Sequence, residues 1–254
     1  MKKCLRLVLL FILNGLLLLF LTSCDSVSNE GNGDGNGDEN GNGNGTYDVD
    51  ANGIPRFVYA DYIDLAKIYL ISKFRSGIGH SYSDDFESCR SMKHYFQPKA
   101  SIDWSKVKIF SPVDGTVTRV TEDEAGAQVR IKSKEYPAFF FIIFHVNLLN
   151  PLSVDDEVTE GQMLGTHIGV QTMSDIAVGV NTPGGWKLLS YFEVIADVVF
   201  QNYKARGVNS RNAVIISKQA RDADPLTCSG EDFVNSGNLV NWVILSTSSL
   251  NGAH

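Results

Sequence analysis

The chain has little cysteine, no excess of positive charge and no long apolar run beyond its N-terminus. Its four cysteines, at positions 4, 24, 89 and 228, are too few for a scaffold built on disulfides. Lys and Arg number 22 against 29 Asp and Glu. Three of those bases and seven of the acids lie in the first 50 residues, which leaves 19 bases and 22 acids, a net charge of −3 for the remainder. That near balance gives no nucleic-acid footprint. No internal repeat and no second membrane-length run occurs. The ~200 residues after position 50 suffice for one domain with a real core.

What is present begins with an export signal. Met1 to Arg6 is short and basic, and residues 7–21 are apolar except for Asn14 and Gly15. The run falls short of the ~20 residues that span a membrane comfortably and fits a signal-peptide core. It ends in Leu21-Thr22-Ser23-Cys24, which resembles the bacterial lipobox. The resemblance implies a lipoprotein signal over 1–23, cleavage before Cys24, and a diacylglyceryl thioether and acylated amine on that cysteine. Acyl chains of the palmitate kind then hold the protein to a lipid bilayer, at ~0.8 kcal/mol per buried methylene. An ordinary signal peptide with an incidental cysteine is the alternative. The expected location is the cell envelope, facing the periplasm or the exterior. Asp25 resembles an inner-membrane retention signal of some Gram-negative lipoproteins.

Residues 24–50 read as a tether, because 30–45 are almost wholly Gly, Asn, Asp and Glu and offer no apolar surface to offset chain entropy. No closing Glu or flanking helix makes this stretch a calcium loop. With Cys4 removed and Cys24 lipidated, Cys89 and Cys228 remain as an even pair in an oxidising compartment. A disulfide between them is expected, with two buried thiols or a Cys89 metal ligand as alternatives.

The domain, residues 51–254, is organised around 109–169. Val107, Ile109, Val113, Val117 and Val120 are β-branched and Asp114-Gly115 is a tight-turn signal. Residues 129–132 and 139–146 read as further strands, the second ending at His145. Asp155-Asp156 and Gly161-Gln162 set off Val158 as a short strand. The expected class is mainly β, a small antiparallel sandwich or barrel-sandwich hybrid with added helices at both ends. Those helices are placed over 61–74, where Tyr62, Leu65, Ala66, Tyr69 and Leu70 follow a helical rhythm, as a turn within 89–96, and over 197–206. Tyr191-Phe192-Glu193-Val194 reads as a final strand.

Several motifs, in order, resemble the M23 (lysostaphin/LytM-like) zinc peptidases over roughly 75–195. His80-Ser81-Tyr82-Ser83-Asp84 has their His-x-x-x-Asp spacing. Ser111-Pro112-Val113-Asp114-Gly115-Thr116-Val117 looks like the strand that follows. Phe144-His145-Val146 is similar to their Tyr-x-His-Leu strand, and residues 158–165 to their Gly-Gln turn. The resemblance implies a zinc ion held by three protein ligands, with a fourth position for the water it activates. It assigns His80 and Asp84 to the metal and His145 to assistance at the water or the tetrahedral intermediate. The family's His-x-His is missing. Its nearest counterpart is Asp175-Ile176-Ala177, which puts an alanine at the third ligand and an aspartate at a catalytic histidine. Asp85, Cys89, His94 and His167 are candidate substitutes. Without the resemblance, His145 reads as a satisfied histidine at a strand end, His94 and His167 as surface or structural, Asp84-Asp85 as a cap for the following turn, and Arg90, Lys93 and Arg206 as a solvated face or as bases for an anionic wall polymer.

The resulting expectation is a lipid-anchored envelope protein with a degenerate M23-like domain that binds peptidoglycan, an envelope partner or a true wall hydrolase without cutting the wall. An active zinc endopeptidase with a rearranged ligand set and a purely structural lipoprotein are the alternatives.

Overall fold

A computed structural model describes residues 45–246. The signal over 1–23, Cys24 and most of the tether lie outside the described residues. Among those that are described, no helix is long and apolar enough to cross a membrane.

The packed part starts ahead of residue 51. The Tyr47 N–H donates to the Asn181 carbonyl, and Val49, in the short helix α1 (Val49–Asn52), joins the core. The chain then forms β1 (Ile68–Ser72), β2 (His94–Pro98), β3 (Lys108–Phe110), β4 (Gly115–Asp123), β5 (Gly126–Ser133), β6 (Phe139–Leu148), β7 (Glu157–Val158), β8 (Met163–His167), β9 (Ser174–Thr182) and β10 (Gly185–Leu189). Helices α2 (Tyr191–Val194), α3 (Asp197–Lys204) and α4 (Lys218–Ala223) follow, then the hairpin β11 (Cys228–Ser229)–β12 (Asp232–Phe233) and the last strand β13 (Trp242–Ile244). Pairing is antiparallel along the order β13-β1-β2-β9-β6-β5-β4-β7, with β10 also on β9 and β8 joining β3 to β6. The domain is therefore mainly β and antiparallel, with helices at both ends, and its sheet is not closed into a barrel.

β6 explains the architecture. Its run Phe139 to Phe144 lacks the alternation of a half-exposed strand because both faces are covered. Phe139, Phe141 and Ile143 enter the main core with Phe192, Val199, Phe200 and Tyr203, while Phe140, Ile142 and Phe144 enter a second cluster with Phe74, Met92, Ala177 and Leu188. The candidate site lies on this second face.

Three local expectations are corrected. Residues 61–74 are not a helix: a 3-10 turn at Leu65–Lys67 leads into β1, which pairs with β2 and β13. The helical rhythm counted Ala66 and Tyr69, which are exposed, whereas Ile68 and Ile71 are buried between partner strands. Residues 89–96 form no helical turn; Cys89 takes a left-handed φ of 53° and the chain passes into β2. Residues 191–194 are the helix α2. Ser190 accepts the Phe192 N–H, and Glu193 accepts the Ser190 N–H at 2.9 Å, a capping box that the Ser-x-x-Glu spacing advertised. The 197–206 helix is present as α3, and residues 233–245 return to the sheet through β13.

Candidate functional site

Register places the site. On β9, Asp175 lies opposite Phe144 of β6 and Tyr95 of β2, and Ala177 lies opposite Ile142. β6 carries a bulge here: Ala127 pairs with Val146 and Val129 with Ile143, so Phe144 and His145 share the space facing Gln128. His145 adopts φ 64°, a left-handed conformation that is uncommon away from glycine and costs of order 1 kcal/mol or more. Bulges re-aim side chains, and this one turns His145 onto Asp175.

The centre is an ion-paired chain. Asp175 is 0% exposed and Lys93, one residue before β2, is 1% exposed; the ammonium meets Asp175 Oδ2 at 2.5 Å. Asp175 Oδ1 lies 3.1 Å from His145 Nε2. His145 Nδ1 sits 3.0 Å from the Ala125 carbonyl oxygen. The Ala125 carbonyl only accepts, so Nδ1 carries a proton, and the ion-pair contact of Nε2 with the Asp175 carboxylate favours protonating that nitrogen as well. Burial opposes that charge, but the hydrogen bond and negative charge of Asp175 and the Ala125 carbonyl outweigh it and raise the His145 pKa. Burial alone would push the Asp175 carboxyl up, yet Lys93 and His145 hold it below its ordinary value.

His80 joins through Lys93. Its Nδ1–H donates to the Ser81 carbonyl at 3.0 Å, and its Nε2 accepts from the Lys93 ammonium at 3.2 Å. Burial first, and then the charge of Lys93, lowers its pKa, so His80 is a neutral acceptor. The same ammonium lies over three rings, 4.1 Å from Phe144 and 5.0 Å from each of Tyr82 and Tyr95. A bridge to Asp232 ties His80 to the hairpin β11–β12, which the Cys89–Cys228 disulfide fastens to the front of the domain. The expected disulfide is thus present, and Cys89 offers no thiolate to a metal.

The sequence-derived candidates divide. His80 and His145 converge on the Lys93–Asp175 pair. Asp84 does not take part: its Oδ1 accepts the Phe86 and Glu87 N–H groups at 2.9 and 2.8 Å, and its Oδ2 accepts the Leu188 N–H at 2.8 Å. Asp85 accepts the Trp186 N–H at 2.7 Å. Together the two carboxylates cap the outer edge of β10, an edge that would otherwise present bare donors. His94 is buried between the Ser72 carbonyl and the Ser190 hydroxyl, and burial pushes it down to about 4. His167 is likewise pushed down to about 4 by burial, its Nδ1 taken by the Gly169 N–H. Lys93, read from the sequence as a base on a solvated face or for an anionic wall polymer, is instead buried in its ion pair. Its partner Asp175 is 82 residues away, and a long-range ion pair leaves no local signature.

A protein zinc site needs at least three donors converging on one point. Among the described residues no group of three or more His, Cys, Asp or Glu is so placed. Ala177 is buried and has no donor, Asp84 is committed to backbone, and an ammonium stands in contact with the two groups left, His80 and Asp175. The residues do not fit the metal that the resemblance implies.

No family model and no curated protein matches this sequence. Among solved structures, a LytM structure from Ruminococcus gnavus matches at 14% identity and TM-score 0.32, over 40% of this chain and 43% of that one. The SpoIIQ–SpoIIIAH pore-forming complex matches at 13% identity and TM-score 0.38, over 58% of this chain and 96% of the other. The catalytic domain of lysostaphin from Staphylococcus simulans matches at 14% identity and TM-score 0.32, over 46% and 84%. The chain therefore spans less than half of the LytM structure, and the domain's chemistry is read from its own residues.

Proposed function

We propose that the chain is a lipid-anchored protein of the bacterial cell envelope whose M23-like domain binds peptidoglycan or an envelope partner without hydrolysing it. One observation on β9 carries the non-hydrolytic reading. Where the resemblance requires the third metal-binding imidazole, the residue is Ala177, buried and apolar against Ile142. Hydrolysis by the family's route needs three protein donors and an open position for an activated water. The lipobox-like Leu21 to Cys24 supports the anchor, and the Gly-, Asn- and Asp-rich composition of residues 30–45 supports reach from a membrane to the wall.

The test uses the full chain in detergent with purified wall sacculi. Saturable co-sedimentation without release of wall peptides, whether or not zinc is added, is the expected result. Labelled palmitate is expected to enter the wild type and not Cys24→Ser. Zinc-dependent release of wall peptides that disappears in His80→Ala would overturn the proposal in favour of a hydrolase. Failure to sediment with any wall preparation or envelope extract would leave only a structural lipoprotein.

A further inference from the structure

We infer that Lys93 is a built-in replacement for a metal ion: its ammonium organises His80, Asp175 and, through Asp175, His145, and it keeps a divalent cation from that place. The inference rests on geometry independent of wall binding. Lys93 Nζ is in contact with the acceptor nitrogen of His80 and with a carboxylate oxygen of Asp175, at 3.2 and 2.5 Å. These are the two groups a metal would have to share. An ion within ~2.0–2.2 Å of both would overlap the ammonium and be repelled by it.

Lys93 is held as a bound cation is held. Three aromatic faces, Tyr82, Tyr95 and Phe144, line its surroundings, and one carboxylate supplies the counter-charge. The side chain is fully buried, so leaving would strand Asp175 in the interior with only His145. His94 pairs with Ile176 and Tyr95 with Asp175, so the register, continued by one residue, brings Lys93 level with Ala177. The cation and the missing donor are therefore neighbours. A lysine reaching from just before β2 and a small apolar residue on β9 together leave room for one monovalent charge with a tether, and no vacancy for a divalent ion.

The test has a readout that needs no variant. In the native full chain, Lys93 should resist amine acetylation while exposed Lys218 reacts, and it should become reactive on unfolding. Metal analysis after incubation with zinc and removal of free ion should give substoichiometric zinc in the wild type and in Ala177→His, and near-stoichiometric zinc in the double variant Lys93→Met, Ala177→His. A chelator should lower the melting temperature of the double variant alone. The inference is overturned if wild type keeps one zinc that His80→Ala loses, if Ala177→His binds zinc as well as the double variant does, or if Lys93 is acetylated as fast as Lys218. Should the double variant fail to fold, the wild-type zinc and acetylation measurements still decide. Retained zinc would sink this inference and leave wall sedimentation to be judged separately.

Discussion

Removing Lys93 and removing Asp175 should destabilise the domain by different amounts, and His145 should make the two losses move in opposite directions with pH. Both partners are fully buried and 2.5 Å apart. Taking one member from such a pair costs roughly 3–5 kcal/mol, because the other remains as an uncompensated charge. In Lys93→Met, Asp175 still has the His145 imidazolium at 3.1 Å, so the loss should sit at the low end while that ring is protonated. The folded-state pKa of His145 is raised. Its contribution is therefore fully present below the unfolded value and is lost as pH rises through the folded one. Above that range Asp175 has no cation left, and Lys93→Met should approach the upper figure. Asp175→Asn behaves in the reverse sense. It leaves two cations facing each other, and the strain is relieved as pH rises and His145 deprotonates. The double variant Lys93→Met, Asp175→Asn removes both charges and should be milder than the sum of the singles by up to ~3 kcal/mol. Urea denaturation of the four proteins at about pH 5.5 and about pH 8.5, on either side of the ordinary imidazole range, reads all of this. Additive singles, or two singles drifting the same way with pH, would refute the shared-charge account of the site.

Two further outcomes test the scaffold. Asp61 accepts from the Tyr203 hydroxyl at 2.6 Å and the Tyr191 hydroxyl at 3.2 Å, and burial pushes its carboxyl up to about 7. The folded chain thus holds a proton that the unfolded chain has released, so stability should fall by up to ~4 kcal/mol between about pH 4 and about pH 7, and Asp61→Asn should lack that fall. His94 and His167 act in the opposite sense, since burying them neutral costs stability as pH drops; the difference between wild type and Asp61→Asn isolates the carboxyl, and a flat difference would refute it. Cys228→Ser should lower the unfolding free energy by roughly 2–5 kcal/mol, because the Cys89–Cys228 bridge closes a 139-residue separation. A reductant should reproduce that loss in the wild type and add nothing to the variant; no change in either would show that the bridge contributes no stability.

How far the sequence disclosed this arrangement follows the range of the interactions involved. Residues 115–148 were legible because β4, β5 and β6 are joined by short turns and pair with their chain neighbours, so β-branched spacing and turn chemistry contain nearly all the information. β1 was not, because one of its partners is β13, about 170 residues on, and tertiary pairing overrode a weak helical rhythm. α2 was misread for a different reason: Tyr191, Phe192 and Val194 are apolar enough to pass for a strand, and the deciding signal was the polar pair Ser190 and Glu193 that flanks and interrupts them. The site shows the same division. His145 stood out at the end of an apolar run, and Asp175 and Ala177 stood out as substitutions in a motif. Asp84 kept the spacing of a metal ligand, but spacing does not specify which way a carboxylate turns, and three backbone N–H groups outcompete a single shared ion for it. Lys93 closes the argument. Nothing adjacent to it marks it as special, and it acquires its role only when β2 is laid against β9, which brings an ammonium to the one carboxylate buried beneath His145.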